Sequence, residues 1–441
     1  MKRWIRLSTS ATVDEERDQN SMASIAIIGT GIAGMGCGHF LHRKHDITLF
    51  EQNDYVGGHT NTVTVDEDGM PIHIDTGFMV YNEVTYPNLT RLFRALDVPT
   101  VETSMSFSVQ HVPSGIEYCG SGLSGLFGQR KNLLNPRFYR LLLHINRFNK
   151  EATEILDNPH YVDYTLKQYI AEKHYSGDFL QRYLLPMSSA VWSTPPEKML
   201  DFPAVTLVRF FHNHGFLGLG TQHQWRTVSG GSRVYRDLMI KPFLQRIRLR
   251  MPVRRVFRQA QEAVVETADG SRQTFDKVIF ASHADQTLKM LTDASEQERR
   301  LLKEFKYQTN IATLHTDARV MPKNRRIWSS WNYRIETDAS GAASPSTIYY
   351  MNSLQKVSRK KDYFVSIDDP GTVKPDQVLM RITYEHPLYT PLSAAAQAEL
   401  TWLNETGPVY FCGSYFRYGF HEDAFTSAIR LCERITGENV W

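Results

Sequence analysis

Residues 24–34 read S-I-A-I-I-G-T-G-I-A-G, and this stretch decides the fold. The apolar run before Gly29 suits a strand buried on both faces of a parallel sheet. Gly29 permits a tight turn, Gly31 lets the backbone approach a pyrophosphate, and Gly34 lets a helix pack close to the strand. Ile32 and Ala33 open that helix, whose free N–H groups and positive dipole end face the phosphates. A second apolar strand, I-T-L-F at residues 47–50, ends in Glu51, 20 residues past Gly31. A carboxylate so placed accepts both ribose hydroxyls of an adenosine, and it repels a 2′-phosphate, which argues against NADP.

Gly57-Gly58-His59-Thr60 follows, then a predicted hairpin with strands at residues 62–65 and 71–74 about an Asp68-Gly69 turn. It leads into Asp75-Thr76-Gly77-Phe78. This E-x5-G-G pattern with a later D-x-G segment resembles the flavin-containing amine oxidase superfamily, which includes monoamine oxidases, protoporphyrinogen oxidase and phytoene desaturases. The resemblance implies FAD as cofactor. It implies that Gly57, Gly58, His59 and Thr60 wrap the pyrophosphate, with Gly77 and Phe78 following. The family usually carries Arg where this chain has His59.

Later segments agree in order. T-V-S-G-G-S at residues 227–232 resembles the glycine pair before the middle flavin-domain helix, and Val253 matches the valine whose backbone meets the adenine. The V-I-F-A strand at residues 278–281 should cross under the cofactor, and Cys412 should lie buried in a strand that ends at Gly413. Ser414 stands where the family has an acid, and Glu422, Asp423 and Ala424 open the last helix. The resemblance therefore implies an α/β chain: a Rossmann-like FAD-binding domain (GR2-type) interleaved with an α+β substrate domain. The FAD-binding domain is expected from residues 22–79, 221–291 and 405–441, and the substrate domain from residues 80–220 and 292–404. More narrowly, G-G-H-T-N-T with Y-G-F-H-E-D looks like a bacterial branch of amine-oxidase-like flavoproteins associated with modification of membrane fatty acyl chains, methylated and furan-type chains included.

Flavin dehydrogenation needs a C–H bond held in a dry pocket, and the cofactor supplies the hard chemistry. His421 and Glu422 sit where the family's chain passes the flavin ring and are the first candidates for handling a proton, with Tyr418 beside them. The alternative is structural, a loop anchored by hydrogen bonds. The amides that open the last helix would stabilise a reduced, anionic flavin, and Asp423 would serve there or as a plain N-cap. Tyr415, Phe416, Tyr418 and Phe420 offer an aromatic wall for an amine cage or for an acyl chain. His212, His214 and His223 have no cysteine or acidic partner nearby, so no metal site is expected. No G-x-S-x-G elbow occurs, which argues against nucleophilic catalysis. The single strand–glycine-turn–helix unit predicts that NADH and NADPH reduce the flavin poorly.

Four functions stay open on these residues. They are hydride removal from an activated C–H of a fatty acyl lipid, oxidation of a small amine, redox-neutral double-bond isomerisation, and a non-catalytic flavoprotein partner of a lipid-modifying enzyme.

Composition bounds the rest. The 441 residues are 41% hydrophobic and 22% charged, which excludes a disordered or fibrous chain. A net charge of +3 is too small for a nucleic-acid footprint, and 4 Cys without a C-x-x-C pair argue against a disulfide framework. No apolar run reaches the ~18 residues of a spanning helix. Residues 1–21 are polar, lack a signal-peptide core and read as a disordered leader or as sequence ahead of a start at Met22. The expected setting is the cytoplasm. Peripheral contact with the inner membrane face stays open, as does the oligomeric state. Two stretches bear on that contact. Residues 136–156 have helical periodicity, with Phe138, Leu141, Phe148 and Ile155 on one side and Arg137, Arg140 and Arg147 on the other. Residues 246–258 alternate Arg with apolar residues as one half-exposed strand would, and could otherwise be an anionic headgroup site. The Ala/Ser/Gly-rich residues 337–345 read as a mobile loop.

Overall fold

In a computed structural model, residues 22–218, 220–338 and 341–441 are described; the leader expected at residues 1–21 and Leu219 lie outside the described residues. Strand Ser24–Ile28 is the centre of a five-stranded parallel sheet. The strands run in the order Ile247–Arg248, Asp46–Phe50, Ser24–Ile28, Lys277–Phe280, Val409–Phe411. Ile27 lies opposite Leu49 on one side and Ile279 on the other, and all three are buried. In chain order this is 3-2-1-4-5, so the winding reverses between Ser24–Ile28 and Lys277–Phe280. Ligands of doubly wound sheets bind outside the strand ends at such a switch point. Cys412 is buried just past the last strand, and all four cysteines are buried and free.

Helix Ile32–Leu41 covers one face of this sheet and packs against the C-terminal helix His421–Thr436. A Cβ on Gly34 would stand 1.9 Å from the Gly29 carbonyl oxygen, so only glycine lets the helix start so close to the strand. The hairpin forms from Thr62–Glu67 and Met70–Asp75, with Asp68 and Gly69 both at positive φ (55° and 82°) as a two-residue type I′ turn requires.

A second sheet of seven strands runs Val378–Leu388, Lys306–His315, Phe364–Ile367, Ala343–Tyr350, Trp331–Thr337, Phe107–His111, Ile116–Cys119. It draws on residues both before and after the middle part of the parallel sheet. A small sheet joins the two regions, with Trp225–Val228 between Tyr81–Asn82 and Thr100–Thr103. Helix Pro136–Glu151 continues as a 3-10 turn, Ala152–Leu156, and buries Phe138, Leu141, Phe148, Ala152 and Ile155.

Two sequence expectations are corrected. Residues 246–258 are not one strand. Ile247–Arg248 ends the parallel sheet, Arg250 turns the chain at φ 53°, and Val253–Gln259 starts a separate antiparallel sheet. Their arginines serve local contacts, Arg246 donating to the carbonyls of His42 and His45 and Arg258 pairing with Asp293 and Glu298. In the loop expected at residues 337–345, residues 343–345 belong to strand Ala343–Tyr350, paired with Trp331–Thr337. Among the described residues no helix is long and apolar enough to cross a membrane.

Candidate active site

The switch point opens into a cavity of about 860 Å³ that reaches from the first glycine turn to the seven-stranded sheet. At the turn, Gly29 comes so close to the neighbouring strand end that a Cβ there would lie 2.8 Å from the Ala281 carbonyl oxygen. A Cβ on Gly31 would meet no atom within 4 Å, and it would project into the cavity that Gly31 lines. Helix Ile32–Leu41 has no side-chain cap and no acid in its first turn, so its leading amides are free toward that space. Glu51 lines the same end at 7% exposure. One carboxylate oxygen accepts from the Thr30 amide and hydroxyl (3.1 and 2.5 Å) and the other from the Asn53 amide (2.9 Å), fixing the group with lone pairs left for a ligand. An open glycine cradle, uncapped helix amides and a fixed buried acid fit the diphosphate and ribose of FAD.

Of the other expected cofactor residues, Ile32, Ala33, Gly58, His59, Gly77, Phe78, Val253, Gly413, Ser414 and Ala424 line the cavity. Gly34, Gly57, Thr60 and Asp423 stand behind it. Gly57 is needed for its own turn, at φ 126° with a would-be Cβ 2.4 Å from the Thr60 carbonyl oxygen. Thr60 Oγ1 bonds to Tyr235 OH (2.6 Å).

His59 is half-buried, with its Nε2 enclosed and unpartnered and its ring stacked on Tyr384 at 4.7 Å. Burial, then the neighbouring His386, His283 and His421, holds its pKa well below the ordinary 6.5, so it is neutral and does not replace the family's arginine as a cation. Lys289, from helix Ala284–Met290, also lines the cavity, its Nζ paired with Asp285 at 3.0 Å.

The catalytic candidates separate. His421 lines the cavity, stacks on Phe78 at 4.0 Å, and sets Nε2 3.1 Å from both Thr60 Oγ1 and Tyr235 OH. Burial lowers its pKa to about 3, so it is a neutral member of a fixed polar triangle. Glu422 is corrected: one carboxylate oxygen accepts from the Asn88 amide and side chain (3.0 and 2.9 Å) and the other from the Leu89 amide (2.9 Å). Those amides open helix Pro87–Ala95, so Glu422 anchors one helix to another and does not line the cavity. Tyr418 is also corrected, since it does not itself line the cavity: its carbonyl accepts from Trp192 Nε1 at 3.1 Å, its ring meets Phe210 edge-on at 6.2 Å, and its neighbours Gly419 and Phe420 line the cavity. Asp423 is not the N-cap; it is the third helical residue, reaching back to the Phe420 amide at 3.0 Å. Burial raises its pKa to about 7.

Of the aromatic wall, Tyr415 and Phe420 reach the cavity, and Phe420 stacks on Phe210 at 4.8 Å. His214 is sandwiched between Phe210 and Trp225, with Nδ1 on the Phe210 carbonyl, and His223 Nε2 meets the Asn213 carbonyl.

Sequence reasoning missed His386. It lines the cavity from strand Val378–Leu388, with Nδ1 2.7 Å from Asn310 Oδ1. Asn310 Nδ2 donates to the Ser193 carbonyl (3.0 Å) and to Asp368 (2.5 Å), so its Oδ1 can only accept. The proton of His386 therefore sits on Nδ1, and Nε2 is a bare acceptor. Burial lowers its pKa to about 4. Alternation along the strand could have marked one face of Y-E-H-P, but nothing in sequence says which face meets a cavity. His283 and Gln286, also missed, follow the strand Lys277–Phe280 as Gly29 follows the first strand, and that repeat of strand then turn was a usable signal.

A family model described as flavin containing amine oxidoreductase matches residues 32–354. Among solved structures, cyclohexylamine oxidase from Brevibacterium oxydans IH-35A is similar at TM-score 0.68 and 14% identity, covering 94% of this chain and 100% of that one. Wild-type putrescine oxidase bound to putrescine is similar at TM-score 0.66 and 13% identity, covering 95% and 100%. A CLA-producing fatty acid isomerase from P. acnes is similar at TM-score 0.62 and 13% identity, covering 94% and 98%. No curated protein matches the chain.

Proposed function

The chain belongs to the flavin containing amine oxidoreductase family and is an FAD-dependent oxidoreductase; from that premise we propose that it removes hydride from an activated C–H of a fatty acyl lipid. Bound FAD supplies the two-electron acceptor. The chain's own residues bind, orient and keep water out. Gly29, Gly31 and the amides after them hold the diphosphate, and Glu51 the ribose.

The observation that carries the acyl reading is the far end of the cavity, built from Met105, Phe210, Phe216, Trp225, Trp331 and Tyr349. The two carboxylates on the cavity wall are Glu51, at the adenosine end, and Glu385, which is bonded to His283 and Gln286. Neither is free to hold an ammonium among these rings, whereas an apolar chain needs no charged partner there. His386 Nε2 is an acceptor that can orient a polar group of the substrate.

Anaerobic titration of the holoprotein with a panel of acyl lipids and amines tests this. Bleaching of the flavin band by an acyl lipid is expected. Bleaching by amines alone would make it an amine oxidase, and no bleaching by any compound would favour a non-catalytic role.

A further inference from the structure

Away from the cavity, residues 118–150 contain no Asp or Glu, yet carry Arg130, Lys131, Arg137, Arg140, Arg147 and Lys150. Glu151 takes Arg147. Among the described residues no carboxylate pairs with Arg130, Lys131, Arg137 or Arg140. The preceding acid, Glu117, is buried and engaged by Gln110.

The same surface exposes large apolar side chains: Leu134 at 90%, Leu143 at 67%, Leu133 at 47%. Leu133, Leu134, Pro136, Tyr139, Arg140 and Leu143 share one shallow groove, so the patch is continuous. It is also held in place. Asn135 caps the helix by accepting from the Arg137 amide (3.1 Å), and Tyr139 OH donates to the Leu133 carbonyl (2.9 Å). Asn324 and Asn132 tie the approach through the carbonyls of Gly128 and Glu117. Leucines fixed in water beside unpaired arginines suit a surface that is apolar below and anionic at its rim. A second copy meeting this patch about a two-fold axis would set the cations against themselves.

We propose that this face docks on an anionic lipid bilayer, with Leu134 and Leu143 entering the acyl region and Arg137 and Arg140 on headgroup phosphates. The inference stands apart from the acyl-substrate reading, since neither the patch nor its test involves the cavity.

The test is sedimentation of the holoprotein with vesicles of equimolar phosphatidylglycerol and phosphatidylcholine, and with phosphatidylcholine alone. Binding to the first, weak binding to the second, and weakening by salt are expected. Arg137→Gln and Arg140→Gln should each weaken binding by about fivefold. The double change Leu134→Gln with Leu143→Gln should cost about tenfold or more. Flavin content and Tm should stay unchanged, because all four side chains are exposed. Failure to sediment with either vesicle overturns the proposal, as does binding that ignores salt and these variants. So does a dimer in solution that the leucine changes dissociate.

Discussion

Asn310 Oδ1 lies 2.7 Å from His386 Nδ1, and that contact settles which ring nitrogen of this cavity-lining histidine carries the proton and which does not. The relationship depends on Asn310 being turned by Ser193 and Asp368, residues far from it in sequence.

His386→Leu should therefore lower the rate of substrate-dependent flavin reduction by about tenfold, the size of one lost orienting hydrogen bond, with FAD content retained. Asn310→Ala should produce a smaller loss of the same kind by freeing the tautomer. Anaerobic stopped-flow absorbance reads both, and an unchanged rate in His386→Leu would remove the residue from the site.

Gly31 and Gly34 should fail in different ways. A Cβ at Gly31 meets nothing in the protein, so Gly31→Ala should fold with unchanged Tm in the flavin-free form yet bind less FAD. A Cβ at Gly34 collides with the Gly29 carbonyl, so Gly34→Ala should lower the Tm of the flavin-free protein itself. Thermal melts and the flavin-to-protein absorbance ratio separate the two.

Glu422 should behave as an anchor. Glu422→Ala leaves the amides of Asn88 and Leu89 unpaired and should cost roughly 1–3 kcal/mol for each buried group so stranded. The pH profile of flavin reduction in surviving holoprotein should not move. A profile shifted without loss of Tm would restore Glu422 as a proton carrier.

Stability should respond to pH with two opposite signs. His386 and His421 have folded pKa values lowered by burial to about 4 and about 3, against an ordinary 6.5. Their contribution is present above pH 6.5 and is lost as pH falls through those folded values, so Tm should drop on acidification. Asp423, raised by burial to about 7 from 3.8, contributes most below its ordinary pKa and loses that contribution as pH rises through about 7. Asp423→Asn should accordingly gain in Tm relative to the parent at pH 8 and lose that gain at pH 5. Melting curves of the parent and of Asp423→Asn across these folded and ordinary values check the signs.

The glycine-turn end of the cavity is legible in the sequence. Strand, glycine turn, helix and second strand with its acid are contiguous or nearly so, and each residue's task follows from local backbone conformation and fixed spacing. The hairpin and the amphipathic helix beginning at Pro136 are legible for the same reason. The substrate end is not. Glu422 and His421 are adjacent in sequence at the start of one helix, yet one anchors Asn88 and the other faces the cavity. Successive helical positions point about 100° apart, and only the packing of helix Pro87–Ala95 decides which direction is inward. His386 acquires its bare nitrogen from Asn310, whose own orientation is set by Ser193 and Asp368. Contacts between residues so distant along the chain leave no period or motif in it, so local chemistry determined the cofactor cradle and tertiary packing decided which side chains face the reaction.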